Sequence, residues 1–491
     1  EFAYADTPEL YSLYVSELFR FDQLYRHFCE AADLAESAGW DLLKPLRDDI
    51  ESVYCNWYLM RLGIEWGKCL NNGLLEAWRI ADIPNQQDFY KEHVLPRLKR
   101  GDRTRVFVII SDAFRFEAAQ ELCTCLNGEY RLQADLTTLL GTLPSYTTLG
   151  MASLLPGKIL SYGKSGDVTV DEKASASLDQ RNAILETVNG MAIKAEELIS
   201  LTQKAGRARV KEKQIVYVYH NVIDAVGDSA STEVGTFSAV RKTINELASL
   251  VRFIINNLNG NHMLITADHG FLFSESAPTE TDKSKLNIKD EGVINSKKRY
   301  VLGEKLGSYE NTFHGKTHNT AGTEDNMEFL IPKGVNRFHF VGGARFVHGG
   351  SMPQEIVVPV LTVKHIKDKS SRRKTKSKPV SVSVLGATHR ITTPHHRFQL
   401  LQMEAVSERV KPVTLKAAVY EGDAPVSNIE TVTSNSVSDS MSELQKDIHL
   451  VLQERQYDKK TTYRLILRDA DTGIEQQHVN VIIDRAITDD F

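Results

Sequence analysis

A chain of 491 residues that is 42% apolar, 25% charged and of net charge −5 has the composition of a water-soluble globular protein with two to four domains. The acidic balance excludes a chain that binds nucleic acid or a membrane over its whole surface, so any basic patch has to be local. No apolar run approaches the ~20 residues that cross a bilayer, and no apolar leader opens the chain, which begins at Glu1 without a methionine and is expected to be a fragment of something longer.

All four tryptophans (Trp40, Trp57, Trp66, Trp78) precede residue 80, and apolar residues recur there every three or four positions, which predicts a helical region over residues 1–100. All five cysteines fall within the first 125 residues. Their odd number and scatter suit reduced, mostly core thiols of a cytosolic protein, and only Cys123-x-Cys125 hints at metal. From 101 to 365 short β-branched runs alternate with helical stretches. "RVFVIIS" (105–111) leads into "FRFEAAQELCTCL", "QIVYVYH" (214–220) precedes "DAVGD", and a long amphipathic stretch leads to "HMLITADHG". That alternation predicts an α/β unit, a largely parallel sheet with helices on both faces, ending near "QEIVVPVLTV" (354–363). Two insertions interrupt it: 157–212, polar and mostly helical by its text, and 275–340, a loop and hairpin excursion rich in Lys, Asn, Gly and Thr. The run 364–378 carries eight Lys or Arg against one acid and reads as an exposed linker, 366–378 between domains, with a second reading as a guide for a polyanion. Short alternating runs over 379–491 predict a small β-sandwich, immunoglobulin-like in its strand number.

In an open parallel sheet, ligands bind beyond the carboxyl ends of the strands. Asp112 follows the first strand there, Asp224 and Asp228 follow the second, Asp268 and His269 follow "MLIT", and His348 stands just before "QEIVVPV". Acids and imidazoles gathered at one edge must be paired or metal-bound, because unpaired burial costs several kcal/mol. Mixed Asp and His donors suit zinc, or manganese where oxygen dominates. Six ligands exceed one tetrahedral ion, and two ions ~4 Å apart are the pattern of phosphoryl transfer. Each residue also has a plainer reading: Asp112 and Asp224 as helix caps, Asp228 as a solvated turn acid, His348 as a satisfied loop histidine.

Taken in order, "VIISDAFRFEAAQEL", "TLPSYTTLGMASLLP", "VYVYHNVIDAVGD", "ITADHGF" and "HGGSMPQEIVVPV" resemble the PglZ family of BREX phage-defence proteins, a branch of the alkaline phosphatase superfamily, over about residues 100–365. The resemblance implies two divalent metal ions, zinc first and manganese second. It assigns Asp112, the nucleophile, Asp268 and His269 to one ion, and Asp224, Asp228 and His348 to the other. Asp228 stands where many members have histidine, which makes that site harder and more anionic. "Thr142-Leu143-Pro144" matches the nucleophile pattern of related nucleotide pyrophosphatases, with Thr147 and Thr148 as rivals, and Arg115 is a phosphate contact or a salt-bridge partner. The implied activity is a phosphodiesterase or phosphatase, with a nuclease as one form of it. It would act on DNA or nucleotides in the cytoplasm with other BREX proteins and without a membrane. The competing function is a scaffold that uses the old fold to assemble defence partners.

Overall fold

The strand Val106–Ser111 (β1) is buried at every position, as a strand covered on both faces must be. It is central to a six-stranded sheet. The others are Leu132–Leu140 (β2), Gly190–Lys194 (β3), Ile215–His220 (β4), His262–Thr266 (β5) and Val357–His365 (β6), in the order β2-β6-β5-β1-β4-β3. In the computed structural model the described residues are 4–37, 43–98, 105–128, 132–284, 286, 292–339, 343–366, 378–386, 389–407, 410–438, 440–459, 461–470 and 473–484. β1 runs parallel to both β4 and β5, and β3 parallel to β4, while β6 is antiparallel to β5. Ser111 lies opposite His220 and Ile110 opposite Thr266, so the strands end level and their following residues open onto one edge.

Helices α1 (Phe116–Gly128), α2 (Thr147–Ser153), α3 (Ile223–Gly227) and α4 (Thr236–Leu258) follow these strands. α4 buries a residue every three or four positions from Thr236 to Leu258 and stops where Asn259 turns left-handed (φ 56°). Helical runs over 7–37 and 44–77 belong to the same compact unit as the sheet, which comprises 1–126 and 133–365. Among the described residues no helix is long and apolar enough to cross a membrane.

The 157–212 segment differs from its helical expectation. It forms a three-stranded antiparallel sheet and helices, and also supplies the edge strand β3. Only Met191–Ile193 are apolar in that strand, too short a run to stand out between polar helices. Residues 275–340 carry a four-stranded antiparallel sheet with strands Val293–Ser296, Val301–Gly303, Thr312–Lys316 and Glu328–Pro332. The second unit comprises 127–132 and 366–491. In it, a sheet around His395–Gln402 and another around Tyr463–Asp469 share one apolar core that includes Phe398, Leu400, Ile448, Leu415, Val419 and Leu465. Of the basic run, 367–377 lie outside the described residues, including Arg372, Arg373, Lys374 and Lys376. The cysteines form no disulfide; Cys29 and Cys69 are buried and Cys125 is exposed.

Candidate metal centre

β1 and β5 end side by side, which brings Asp112 against Asp268 and His269. The ligand atoms of these three residues lie within 4.8 Å of one another, and their exposures are 3%, 1% and 0%. Asp268 is oriented by its surroundings: Oδ1 accepts the backbone N–H of Ala113 (3.1 Å) and of His269 (3.0 Å). Its Oδ2 and the Oδ1 of Asp112 are buried without a hydrogen-bond partner. His269 Nδ1–H donates to the carbonyl of Gly270 (2.9 Å), which leaves the Nε2 lone pair facing Asp268 Oδ2 at 3.4 Å and Asp112 Oδ1 at 3.8 Å. Three electron-pair donors thus converge, two of them carboxylate oxygens without a hydrogen-bond partner and the third an imidazole nitrogen met only by the Thr147 hydroxyl.

The electrostatics follow from that arrangement. Burial, then the neighbouring Asp268 and Asp224, hold the Asp112 carboxyl well above the usual range. Burial pushes Asp268 up to about 7, against the pull of its backbone N–H donors. Burial also lowers His269 to about 4, so the imidazole is neutral. A divalent cation at the convergence point would pair both carboxylates and use the imidazole lone pair, so the residues present fit such an ion. Gly270 is required by close packing rather than by a turn: a Cβ there would meet the carbonyl of Gln354 at 2.1 Å, and its N–H donates to Glu355 O at 2.9 Å.

The threonines separate. Thr142 is 1% exposed, and its N–H and hydroxyl both donate to Gln86 Oε1, at 3.0 and 3.3 Å. Thr147, half-buried at the start of α2, has its hydroxyl 3.1 Å from His269 Nε2. α2 is pressed against β5's loop, since a Cβ on Gly150 would lie 2.2 Å from Asp268 O. The hydroxyl beside the Asp112, Asp268 and His269 group is therefore that of Thr147.

Asp224, Asp228 and His348 are gathered more loosely. The His348 ring stacks on His269 (centroids 4.1 Å, 7°), and its Nε2 is 3.9 Å from Asp224 Oδ1. Asp228 is exposed, although its charge reaches both Asp224 and His348. Burial, then Asp268 and Asp228, raise Asp224 to about 7; burial, then His269, lower His348 to about 3.

Arg115 is not brought to this crevice. It is 1% exposed, lies over the Phe271 ring (4.8 Å), and faces Glu117 (3.5 Å) and Asp22 (3.9 Å), where Asp22 accepts from Tyr14, Tyr54 and Gln354. The acid on the 7–37 helical run, unseen from the local text, sets its direction. Two polar residues outside the motifs do border the site. Gln86 bridges Thr142 to the carbonyl of Asp268 (2.7 Å). Arg181 lies within electrostatic reach of Asp112, held by the carbonyls of Ser175 (3.0 Å) and Ala176 (2.8 Å) and by the Tyr219 ring. Neither had a sequence signal, because each sits in a polar segment away from any strand end.

Residues 89–363 match a family described as the BREX system PglZ alkaline phosphatase-like domain. The whole chain is 42% identical to an Alkaline phosphatase-like protein BrxZ of Escherichia coli, covering 57% of that protein. Over 98% of the chain it is 34% identical to an Alkaline phosphatase-like protein PglZ of Bacillus cereus, covering 56% of it. The chain therefore spans little more than half the length of these curated relatives. Murine ectonucleotide pyrophosphatase/phosphodiesterase 5 matches 53% of the chain and 88% of its own chain at 10% identity with a TM-score of 0.37.

Proposed function

Because the chain belongs to the family of BREX system PglZ alkaline phosphatase-like domains, we propose that it is a metal-dependent phosphoesterase of antiviral defence. Its substrates on this reading are phosphodiesters of nucleotides or DNA, and its partners other BREX proteins of the cytoplasm. The observation that carries it is the convergence of Asp112 Oδ1 and Asp268 Oδ2, both buried without a hydrogen-bond partner, with the His269 Nε2 lone pair. Asp112, Asp268 and His269 would hold one ion, and Asp224, Asp228 and His348 a second, zinc before manganese. Such ions supply positive charge to a phosphoryl oxygen and favour the ionised form of a nearby hydroxyl.

The remaining chemistry belongs to the chain. Thr147, 3.1 Å from His269 Nε2, supplies the attacking hydroxyl in preference to Thr142, whose hydroxyl is spent on Gln86. Its Oγ1 gives up its proton to water and forms the bond to phosphorus as the ester oxygen leaves and takes a proton from water; a second water then cleaves the Oγ1–phosphorus bond, its oxygen going to phosphorus and a proton restoring the hydroxyl. Arg181 replaces Arg115 as the guanidinium that orients the phosphate, because its charge acts on Asp112 whereas that of Arg115 faces Asp22 and Glu117. The test is elemental analysis of the purified chain alongside hydrolysis of bis(p-nitrophenyl) phosphate. Bound zinc or manganese with hydrolysis is expected; a folded chain with neither hands the fold to the scaffold reading.

A further inference from the structure

The helical run over 44–69 has two apolar faces, and only one of them is covered. Tyr54, Tyr58, Leu62 and Trp66 are buried against the rest of their unit. On the other face Leu46, Val53, Trp57, Met60 and Ile64 are 45 to 54% exposed, with Ile50 half-buried among them. A single exposed apolar residue is ordinary on a protein surface. These six are not single: they follow one another by four, three, four, three and four positions, the spacing of a seam that one helix presents to another. The turns widen over Val53–Leu59, so exposure, and not period alone, is what puts them on the solvent side. Phe21, from the 7–37 run, broadens the patch, since its ring lies 5.8 Å from that of Trp57, and Leu24 one turn further on is exposed as well.

The spacing is symmetric about its midpoint, and this symmetry selects the occupant. Turned end for end, the stripe sets Leu46 against Ile64, Ile50 against Met60 and Val53 against Trp57, so a second copy laid antiparallel meets apolar with apolar along its whole length. The same alignment sets Asp49 against Arg61 at both ends of the stripe. Both residues are exposed, and Arg61 meets only the carboxylate of its own helix, Glu65, at 3.2 Å among the ion pairs of the described residues. A groove of about 300 Å³ beside Met60, Gly63, Ile64, Gly67 and Phe313 offers a seat for Leu46 of the second copy. An unrelated helix could lie on the stripe too, but a match of apolar residues and of charges under end-for-end reversal is the property of a self-complementary two-fold contact.

We propose that this face is the two-fold interface of a homodimer, in which the 44–69 runs of two copies pack antiparallel. From Leu46 to Ile64 the stripe is about 27 Å long at the rise of an α-helix. That length suits the small end of specific interfaces and not an obligate one, so the dimer is in reversible exchange with the monomer.

The experiment is sedimentation velocity of the chain over a micromolar concentration series. The mass should rise with concentration from 55.2 kDa toward twice that value. Trp57→Glu/Met60→Glu places carboxylates in the seam and should hold the chain at the monomer mass throughout, with circular dichroism to check that it is folded. Asp49→Arg, at a surface position where folding is not at stake, should weaken the association by roughly 10-fold, because two exposed ion pairs become two repulsions. Asp49→Arg/Arg61→Asp should restore it, and only a contact between identical copies is rescued by a swap made within one chain. A parent that stays monomeric at every concentration overturns the dimer, and a dimer that survives the seam variant overturns this face as its interface. A dimer that the seam variant abolishes but the charge swap does not rescue overturns the antiparallel alignment.

Discussion

Asp112, Asp268 and His269 are fully buried and held from behind, whereas Asp224 and His348 keep 20% and 18% of their side chains in solvent and Asp228 is exposed. The first group sits on the ends of two adjacent parallel strands, and two backbone N–H donors fix the Asp268 carboxylate. The second sits on a five-residue helix and a loop, with 3.9 Å between its nearest opposite partners. On the two-ion reading, one half is preorganised and stores the cost of two raised carboxyls that a cation would relieve, and the other would have to be drawn together by its ion. The expected consequence is a tight first ion and an exchangeable second one.

The largest effect that tests this contrast is Asp268→Ala. Even groups that only support a metal's ligands cost about 10- to 100-fold in affinity or activity, so loss of this carboxylate should cut hydrolysis by at least about 100-fold and empty the first site. Elemental analysis beside the rate assay checks both, and equal metal content in variant and parent would refute the ligand assignment. Next in size is the threonine pair. Thr147→Ala should remove hydrolysis of small diesters. Thr142→Ala should leave the rate near that of the parent and cost about 1 kcal/mol of stability, the worth of one hydrogen bond to Gln86. Activity that survives Thr147→Ala and dies in Thr142→Ala would return the nucleophile to Thr142.

What the text of the chain disclosed follows the same division. Strands such as "VFVIIS" and "HMLIT" are largely apolar because both faces are covered, and an acid within two residues of such a run is conspicuous. Asp112, Asp268, His269 and the sheet around them were therefore legible. Thr142 and Thr147 share one short loop, and what separates them is Gln86, brought in from a helical region more than fifty residues earlier. Arg115 was open to two readings for a like reason: local spacing put it beside Asp112, but Asp22 and Glu117 decide where its guanidinium points. Edge strand β3 escaped notice because three apolar residues between polar helices have no readable period.

Protonation offers a gentler way to separate the halves from their ions. In the metal-free chain Asp268 and Asp224 sit at about 7, above the ~3.9 of an unfolded aspartate. The folded state then holds more protons between those values, and the carboxyls weaken it progressively as pH rises from ~4 to about 7. His269 at about 4 and His348 at about 3 lie below the ~6.5 of an unfolded histidine. Their contribution is complete above ~6.5 and fades as pH falls, so the two effects oppose one another between ~4 and ~6.5. Above that window only the carboxyl penalty remains, and a bound cation relieves it. The rise in Tm on adding manganese should be larger at pH 8 than at pH 5.5, and equal rises at both would mean that the buried carboxyls do not meet the ion.

The smallest effect concerns Asp228 and bears on the looser half alone. The residue is exposed, so Asp228→His should change stability by no more than about 0.5 kcal/mol, the usual limit for a surface position. It removes one negative charge from a cluster in which Asp224 is already pushed up by that neighbour. It also replaces a hard oxygen donor by an imidazole nitrogen, which favours zinc over manganese. The ratio of zinc-supported to manganese-supported hydrolysis should rise by roughly 10-fold, the lower size of changes around a metal's ligands, while metal held by Asp112, Asp268 and His269 stays constant. A ratio that does not move, with the first ion still bound, would mean that Asp228 is a solvated acid beside a one-metal centre. The contrast between the halves would then be one between a metal site and a bare rim.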